Sequence, residues 1–523
     1  MTVPLAFHHH VAVVGGGITG ACAASTFASR NIKVDVFDQG RSGPGGRASH
    51  RVTEEAKLEW DHGCQFFRAD TERFRQKVEG WIEGGMCQEW FGKFGQDSSS
   101  ADFFGLPGKP PFFVGMKGLI DSLLNEEGIH VYSDQRVSSL EREGKVWKLL
   151  GVHGEAAFHD TSVEAKPQPI GSTNGYDAVV LTDVSSSFDS WHRASAGVPA
   201  AFAARVRERA GSRVPLFSAM VAFEQPSQIP FDATAFDQNE SIWFAAKTNS
   251  KPGMGALEQE CWTIISTPEY AMRQISEIQM QDKETGAFQP QTREYLTSVP
   301  GPDLERSFRS SLKSQWKVDL PKVSFLSAQR WGSALPAHRL VNTSSDTRQI
   351  IAGVAYDSKR GCLAPTEAEA GTQSFLADDG LMLFQAGDMV SSYSPGFEGA
   401  AISGMDAAEH IFGVYISSII AGTTPANLSF EEEYFANKFF LRALFHSNRP
   451  AMLLNHSRSM KDSASQMKIS FRSCWGIHDK CIDTHLNNDS CSGAQSLSVA
   501  GRILSSTGHC LHGAEGIKNM QRN

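Results

Sequence analysis

The sequence predicts an α/β fold. Three observations carry that expectation: an ordered strand, glycine turn, helix, strand and acidic residue over 11–38; a second glycine cluster, closed by arginine, at 42–51; and a length of 523 residues, which suits two or more domains.

"VAVVGGGITGACAASTFASR" runs from 11 to 30. Val11 to Val14 form a short apolar run, right for a strand buried on both faces. Gly15, Gly17 and Gly20 then spell G-x-G-x-x-G. Gly15 allows the tight turn, Gly17 lets a pyrophosphate approach the backbone, and Gly20 lets the helix pack on the strand. Ile18 and Thr19 fall at the helix amino terminus, whose unpaired N–H groups and dipole face the phosphates. Ala21, Ala23, Ala24 and Ala28 keep that helix slim. In "NIKVDVFDQG", Val34, Val36 and Phe37 read as a second strand, ended by Asp38. Asp38 lies 18 residues past Gly20, where a carboxylate takes the ribose hydroxyls of an adenosine.

A simple doubly wound unit would continue with another helix. This chain has "RSGPGGRASHRV" instead. Gly45 and Gly46 open the backbone again and Arg47 supplies a fixed cation, a second phosphate-side contact for the far half of a longer cofactor. "LEWDHGCQFF", 58–67, places Asp61, His62 and Gly63 in a turn before an aromatic pair.

Composition narrows the rest. Hydrophobic residues make up 41% and charged residues 20%, ordinary for a soluble globular protein. A net charge of −9 argues against a non-specific nucleic-acid binder. "IFGVYISSIIAG", 411–422, is too short to span a bilayer and reads as the end of a buried helix, so no membrane association is expected. Nine cysteines, sparse up to Cys362, and no secretory signal predict a reducing compartment: the cytoplasm, with an organellar stroma also open. The histidines at 8–10 lack partner ligands at fixed spacing and read as a chance run. In the tail, Cys474, His478, Cys481 and His485 match no standard zinc finger, so no metal is expected.

The order G-x-G-x-x-G, acidic residue, GGR, then D-H-G-x-Q-x-F resembles the FAD-dependent amine-oxidase superfamily, most closely its renalase-like branch with the plant-type members. Further pieces resemble it in order: "FVGMKGLIDSLL", 113–124; "VYSDQRVSSLEREGKVWKLL", 131–150; "YDAVVLTD", 176–183; "PLFSAMVAFEQP", 215–226; "IISTPEYAM", 264–272; "AQRWGSALPAH", 328–338; "LFQAGDMV", 383–390; and "GFEGAAISGMDAA", 396–408. Together they cover most of 11–412. Cys64 stands where alanine is usual.

The resemblance implies an FAD-binding Rossmann-like domain of the GR2 type, interlaced with an α+β substrate domain on a mixed or antiparallel sheet. The FAD domain would take 8–72, 116–195 and 328–415, and the substrate domain 73–115 and 196–327. Residues 342–380 would be a surface-loop insertion and 416–523 a partly disordered extension. The first glycine set would hold the AMP half of FAD. Gly45, Gly46 and Arg47 would serve the flavin half, with His62 and Gly63 beside them and the Val137 backbone on adenine. Phe217, Phe223, Trp243, Phe244 and Trp262 read as substrate-domain core.

The closing element also reads physically. Gly387 and Asp388 follow an apolar strand, where the carboxylate either holds the ribityl chain or caps a helix. Glu398, Gly399 and Ala400 open a small-residue helix whose amino terminus would favour electron acceptance by the flavin.

No catalytic triad shows itself, and hydride transfer to a flavin needs none. His62, Arg330, Trp331 and Glu398 are the candidates on the substrate side. His62 serves as a cofactor contact or a structural histidine, Trp331 stacks near the ring or lies in the core, and Arg330 pairs with a ligand anion. Three functions stand. The resemblance implies a renalase-like oxidase that takes hydride from dihydronicotinamide (NAD(P)H) isomers and passes electrons to O2, giving NAD(P)+ and hydrogen peroxide. A flavin amine oxidase or dehydrogenase for another small molecule is the second; its aromatic cage and water-holding lysine are not identifiable in the sequence. A non-catalytic flavin-binding module is the third.

Overall fold

The computed structural model describes residues 9–422, apart from 41–42, 54–56, 97–101, 104–105, 108–110, 154–166, 184–196, 212, 237–238, 255–256, 278–291, 337–355, 358–361, 364–373 and 392–395.

The expected α/β fold is present, built on two six-stranded sheets. The apolar run at 11–14 forms β1 (His10–Val14), the glycine turn leads into α1 (Ile18–Ala28), and β2 (Lys33–Phe37) returns beside β1. The first sheet runs Ile129–Tyr132, β2, β1, Ala178–Leu181, Leu383–Gln385, Leu376–Asp378. Its first five strands are parallel and the last is antiparallel. Val11, Ala12 and Val13 are fully buried, as a strand covered on both faces must be. The long helix Phe397–Gly422 packs along α1. It contains the apolar stretch at 411–422, with Ile411, Phe412 and Tyr415 buried. No helix among the described residues is long and apolar enough to cross a membrane.

A short ribbon follows the second glycine cluster: β3 (His50–Val52) pairs antiparallel with β4 (Glu59–Asp61). Helix α2 (Glu72–Glu83) comes next. The second sheet runs Val323–Pro336, Arg213–Phe223, Glu260–Ser266, Ile242–Lys247, Ala233–Ala235, Phe94–Gln96, antiparallel except for its last pair. Strand alternation gives it two faces. Phe217, Ala219, Val221 and Phe223 point into a core closed by Tyr270, Leu304 and Phe308. Phe217, Phe223, Trp243, Phe244 and Trp262 are all buried, as core residues should be. Met220 and Ala222 point the other way and meet Leu58 and Trp60 of the ribbon segment.

Several boundaries differ from the sequence reading. Residue 328 falls inside the strand Val323–Pro336, whose length is paired in the second sheet, so it marks no boundary. The helix Ala200–Ala210 buries Phe202, Val206 and Ala210 against Phe37 and Leu181, so the first sheet's core reaches past 196. The expected surface loop at 342–380 ends as structure: Ser374 and Phe375 are buried and Leu376–Asp378 is an edge strand. The helix runs to Gly422, as expected of 411–422, and so passes the 415 expected as the end of the FAD domain. The cysteine and histidine pattern at 474–485 lies outside the described residues, as does most of 342–373.

His9 and His10 of the histidine run are used in packing. The His9 ring stacks on Tyr415 at 3.9 Å, and His10 Nε2 lies 3.1 Å from Asp35 Oδ1. Among the described residues no cluster of His, Cys, Asp or Glu could hold a metal.

Candidate functional site

The site grows from the turn after β1. Gly15 has φ +106°, and a Cβ there would lie 2.2 Å from Thr182 Oγ1. A Cβ on Gly20 would lie 1.9 Å from the Gly15 carbonyl oxygen, so strand, turn and helix can close only around two glycines. Gly17 is the N-cap of α1, and no side chain bonds the free N–H groups there. Ile18 and Thr19 supply the first turn, which carries no acidic residue. An uncapped helix amino terminus with an open backbone is an anion cradle.

The second glycine cluster closes on the first. A Cβ on Gly46 would come 3.5 Å from the Gly17 Cα, and one on Gly17 would lie 3.7 Å from the Gly45 carbonyl. Two side-chain-free loops therefore meet face to face. The residues fit a dinucleotide at this end: any larger side chain would fill the cradle the pyrophosphate needs.

Asp38 ends beside it. Its Oδ2 accepts the Gly16 N–H at 2.7 Å and its Oδ1 accepts the Gly40 N–H at 2.7 Å. Burial pushes its pKa up, against the pull of those two bonds. Each carboxylate oxygen retains a further lone pair for a ribose hydroxyl. Val137 is near: the Gln135 N–H donates to the Asp38 carbonyl at 2.9 Å, and the strand pairing shifts register between Val137 and Ser139.

Arg47 and Asp388 do not stand apart as separate cofactor contacts. They form a bidentate pair, Nη1 to Oδ2 at 2.9 Å and Nη2 to Oδ1 at 2.5 Å. Arg47 also donates to the Ala334 carbonyl at 3.0 Å, and Asp388 Oδ2 accepts the Gly396 N–H at 3.2 Å, one residue before the long helix. The pair thus bolts the GGR turn to the closing element. Gly387 precedes it with φ +128°, its N–H held by Ser403 Oγ at 2.8 Å. Gly399 and Ala400 lie in the first turns of the long helix, with Ala400 buried.

Glu398 is tied to the chain ahead of α2. Its two oxygens accept the Asp70 and Thr71 N–H groups at 2.7 and 2.9 Å, just ahead of α2. It fastens two helix starts together, and both carboxylate oxygens are engaged in that task.

The D-H-G turn sits over Arg47. The Cys64 N–H donates to the Arg47 carbonyl at 2.7 Å, and a Cβ on Gly63 would lie 2.2 Å from that oxygen. Trp331 reaches His62 from the second sheet: Nε1 donates to the His62 carbonyl at 3.2 Å and to Ser218 Oγ at 3.0 Å, with the rings 5.3 Å apart. Arg330 does not join them. It is the next residue along one strand, so its side chain leaves the opposite face, the one on which its pairing partner Phe217 enters the helix-covered core.

Burial pushes the His62 imidazole down to about 4; the charges of Arg51 and His50 add to this and Asp61 opposes it. His62 is therefore neutral at physiological pH. Nε2 lies 3.3 Å from Ser49 Oγ, and Nδ1 is buried without a partner among the described residues. The sign is set by the unfolded chain, which binds a proton near pH 6.5 while the folded chain does so only near 4. Stability should rise with pH through that window and be lost as pH falls through it, by about 3 kcal/mol in all. Urea titrations of His62→Gln should show a flatter slope between these pH values; an unchanged slope would contradict a buried neutral histidine.

Sequence reasoning missed Lys251. Its ammonium is fully buried, 2.8 Å from Asp61 Oδ2, 3.2 Å from Gln65 Oε1 and 5.5 Å from the centre of the Trp90 ring. Asp61 Oδ1 pairs with His50 Nδ1 at 2.9 Å, and His50 Nε2 lies 3.1 Å from Glu59 Oε2. Burial works to raise the Asp61 pKa, but Lys251 and His50 outweigh it and hold the carboxyl below its ordinary range. In sequence, Lys251 sits in a polar "NSKPGMG" run that reads as a surface turn.

Residues 13–79 match the family described as NAD(P)-binding Rossmann-like domain. That stretch holds both glycine clusters, Asp38 and the D-H-G turn. Similar solved structures include a putative protoporphyrinogen oxidase from Exiguobacterium sp. 255-15, at 12% identity and a TM-score of 0.45, covering 77% of this chain and 98% of that one. A redesigned putrescine oxidase is 10% identical with a TM-score of 0.46, covering 77% and 99%. Reduced UDP-galactopyranose mutase is 10% identical with a TM-score of 0.45, covering 78% and 96%.

Proposed function

We propose that this chain is an FAD-dependent oxidoreductase that accepts hydride from a small molecule, and specifically a renalase-like oxidase of dihydronicotinamide (NAD(P)H) isomers. The observation that carries the reading is the pair of glycine loops meeting at Gly17 and Gly46, ahead of the uncapped start of α1 and beside Asp38. A mononucleotide-sized ligand needs only the first loop. The second extends the cradle toward Arg47, Gly63 and His62, where the far half of FAD would lie.

When bound, the flavin would supply hydride acceptance and reoxidation by O2, with NAD(P)+ and hydrogen peroxide as products. The protein's part is positional. Asp38 would hold a ribose hydroxyl and the α1 amino terminus would receive the pyrophosphate, while the Arg47–Asp388 pair fixes the GGR turn. His62, neutral and half-buried beside Trp331, keeps a proton-free or proton-bearing nitrogen available without adding charge. Glu398 and Arg330 take no chemical part in this reading.

The test is an anaerobic mixture of purified protein with α-NADH and 6-dihydro-NAD, followed in the visible spectrum. Rapid bleaching of bound flavin is the expected result. A flavin that stays yellow with both, yet bleaches with amines, would move the substrate to the amine-oxidase class. A colourless protein that refuses FAD would remove the flavin reading itself.

A further inference from the structure

The β3–β4 pairing sets His50 opposite Asp61 and Arg51 opposite Trp60. Alternation then places His50, Glu59 and Asp61 on one face of the ribbon, and Ser49, Arg51 and His62 on the other. The first face carries the buried Lys251 cluster. The second meets the sheet face that bears Met220, Ser327 and Trp331.

Arg51 is the charged side chain on that second face. Its Nη1 donates to Ser327 Oγ at 3.3 Å and lies 3.9 Å from Met220 Sδ. It is partly buried and has no carboxylate partner among the described residues. Burial pushes its pKa down, and the charge that adds to this is another cation, Arg293. The acids of β4, Glu59 and Asp61, lie on the other face, Glu59 beside His50 and Asp61 paired with Lys251 and His50. Down the edge strand, Ser327, Gln329 and Trp331 alternate on this face, with Ser218 opposite Gln329. His62 adds its unpartnered Nδ1. A partly desolvated guanidinium with no carboxylate partner among the described residues, bonded to one hydroxyl on a face shared with a neutral imidazole, is stabilised by an incoming oxyanion and repels a cation.

We infer that this wall is a substrate-side anion subsite, in which Arg51 and the Ser327 hydroxyl receive a phosphate group of the substrate. The inference rests on the flavin reading for its location and sharpens it. A dinucleotide carries such a phosphate, whereas a protonated amine would be repelled by Arg51 and Arg293.

The test is calorimetric titration of the FAD-saturated full chain with inorganic pyrophosphate at low ionic strength, flavin content being read separately from visible absorbance. Saturating FAD keeps pyrophosphate out of the α1 cradle. Arg51→Met should weaken binding roughly tenfold or more, with Arg51→Lys intermediate. Arg293→Ala should weaken it roughly threefold through charge alone. Pyrophosphate affinity within twofold of wild type in Arg51→Met, or no binding to the wild type, overturns the inference. Succinate binding as tightly as pyrophosphate overturns the phosphate assignment. Should Arg51→Met fail to fold, unchanged affinity in both Arg51→Lys and Arg293→Ala overturns the inference equally. A chain that takes up no FAD removes the flavin reading, and the Arg51 effect on pyrophosphate still decides the anion site.

Discussion

Lys251→Met is expected to lower folding stability by about 3–5 kcal/mol, because it strands a buried carboxylate. Asp61 and Lys251 side chains are 2% and 1% exposed, so neither can turn to water. Removing the ammonium leaves Asp61 with His50 alone and Gln65 Oε1 without a donor. The site feels this too. Lys251 grips both ends of the turn 61–65, Gln65 Nε2 donates to the Asp61 and Gly63 carbonyls, and Thr263 Oγ1 donates to the Asp61 carbonyl. That turn carries His62 and rests on Arg47. A fall in the urea midpoint, with a matching loss of bound flavin, is the expected reading. Lys251→Met combined with Asp61→Asn should recover much of the loss, since the stranded charge goes with it. A single variant within about 1 kcal/mol of wild type would contradict the role assigned to the pair.

Gly20→Ala is expected to weaken FAD binding roughly tenfold to a hundredfold, the equivalent of one or two misaligned hydrogen bonds to a charged ligand. The added methyl would sit 1.9 Å from the Gly15 carbonyl oxygen and 3.1 Å from its carbon, so backbone must move. What moves is the cradle itself, the Gly15 turn and the start of α1. Overpacking adds about 1–3 kcal/mol of lost stability. Quenching of FAD fluorescence on titration measures the affinity. Gly80→Ala in α2 is the control: a Cβ there meets nothing within 4 Å, so binding should not change. Equal FAD affinity in both variants would mean that the cofactor does not lie on this turn.

The part of the site that was legible in sequence is local. Gly15, Gly17, Gly20 and Asp38 fall on the strand ends, turn and helix start that their spacing predicts, because strand, turn, helix and strand are consecutive in the chain. The buried aromatics of the second sheet were legible for a similar reason, through strand propensity. Arg330 and Trp331 could not be sorted by neighbourhood: they are adjacent, and only sheet pairing shows which face each takes. Glu398 looked unattached in sequence, yet Asp70 and Thr71, more than three hundred residues earlier, each donate an N–H to one of its oxygens.

The sequence by itself determined the Rossmann-type glycine turn, since a Cβ on Gly20 would collide with Gly15 five residues earlier, a steric consequence inside the motif. The tertiary structure alone decided how charges are matched around it. Arg47 meets Asp388, Asp61 meets Lys251, and Arg51 is left without an acid among the described residues, because burial makes every such pairing depend on which side chains the two sheets bring within a few ångströms.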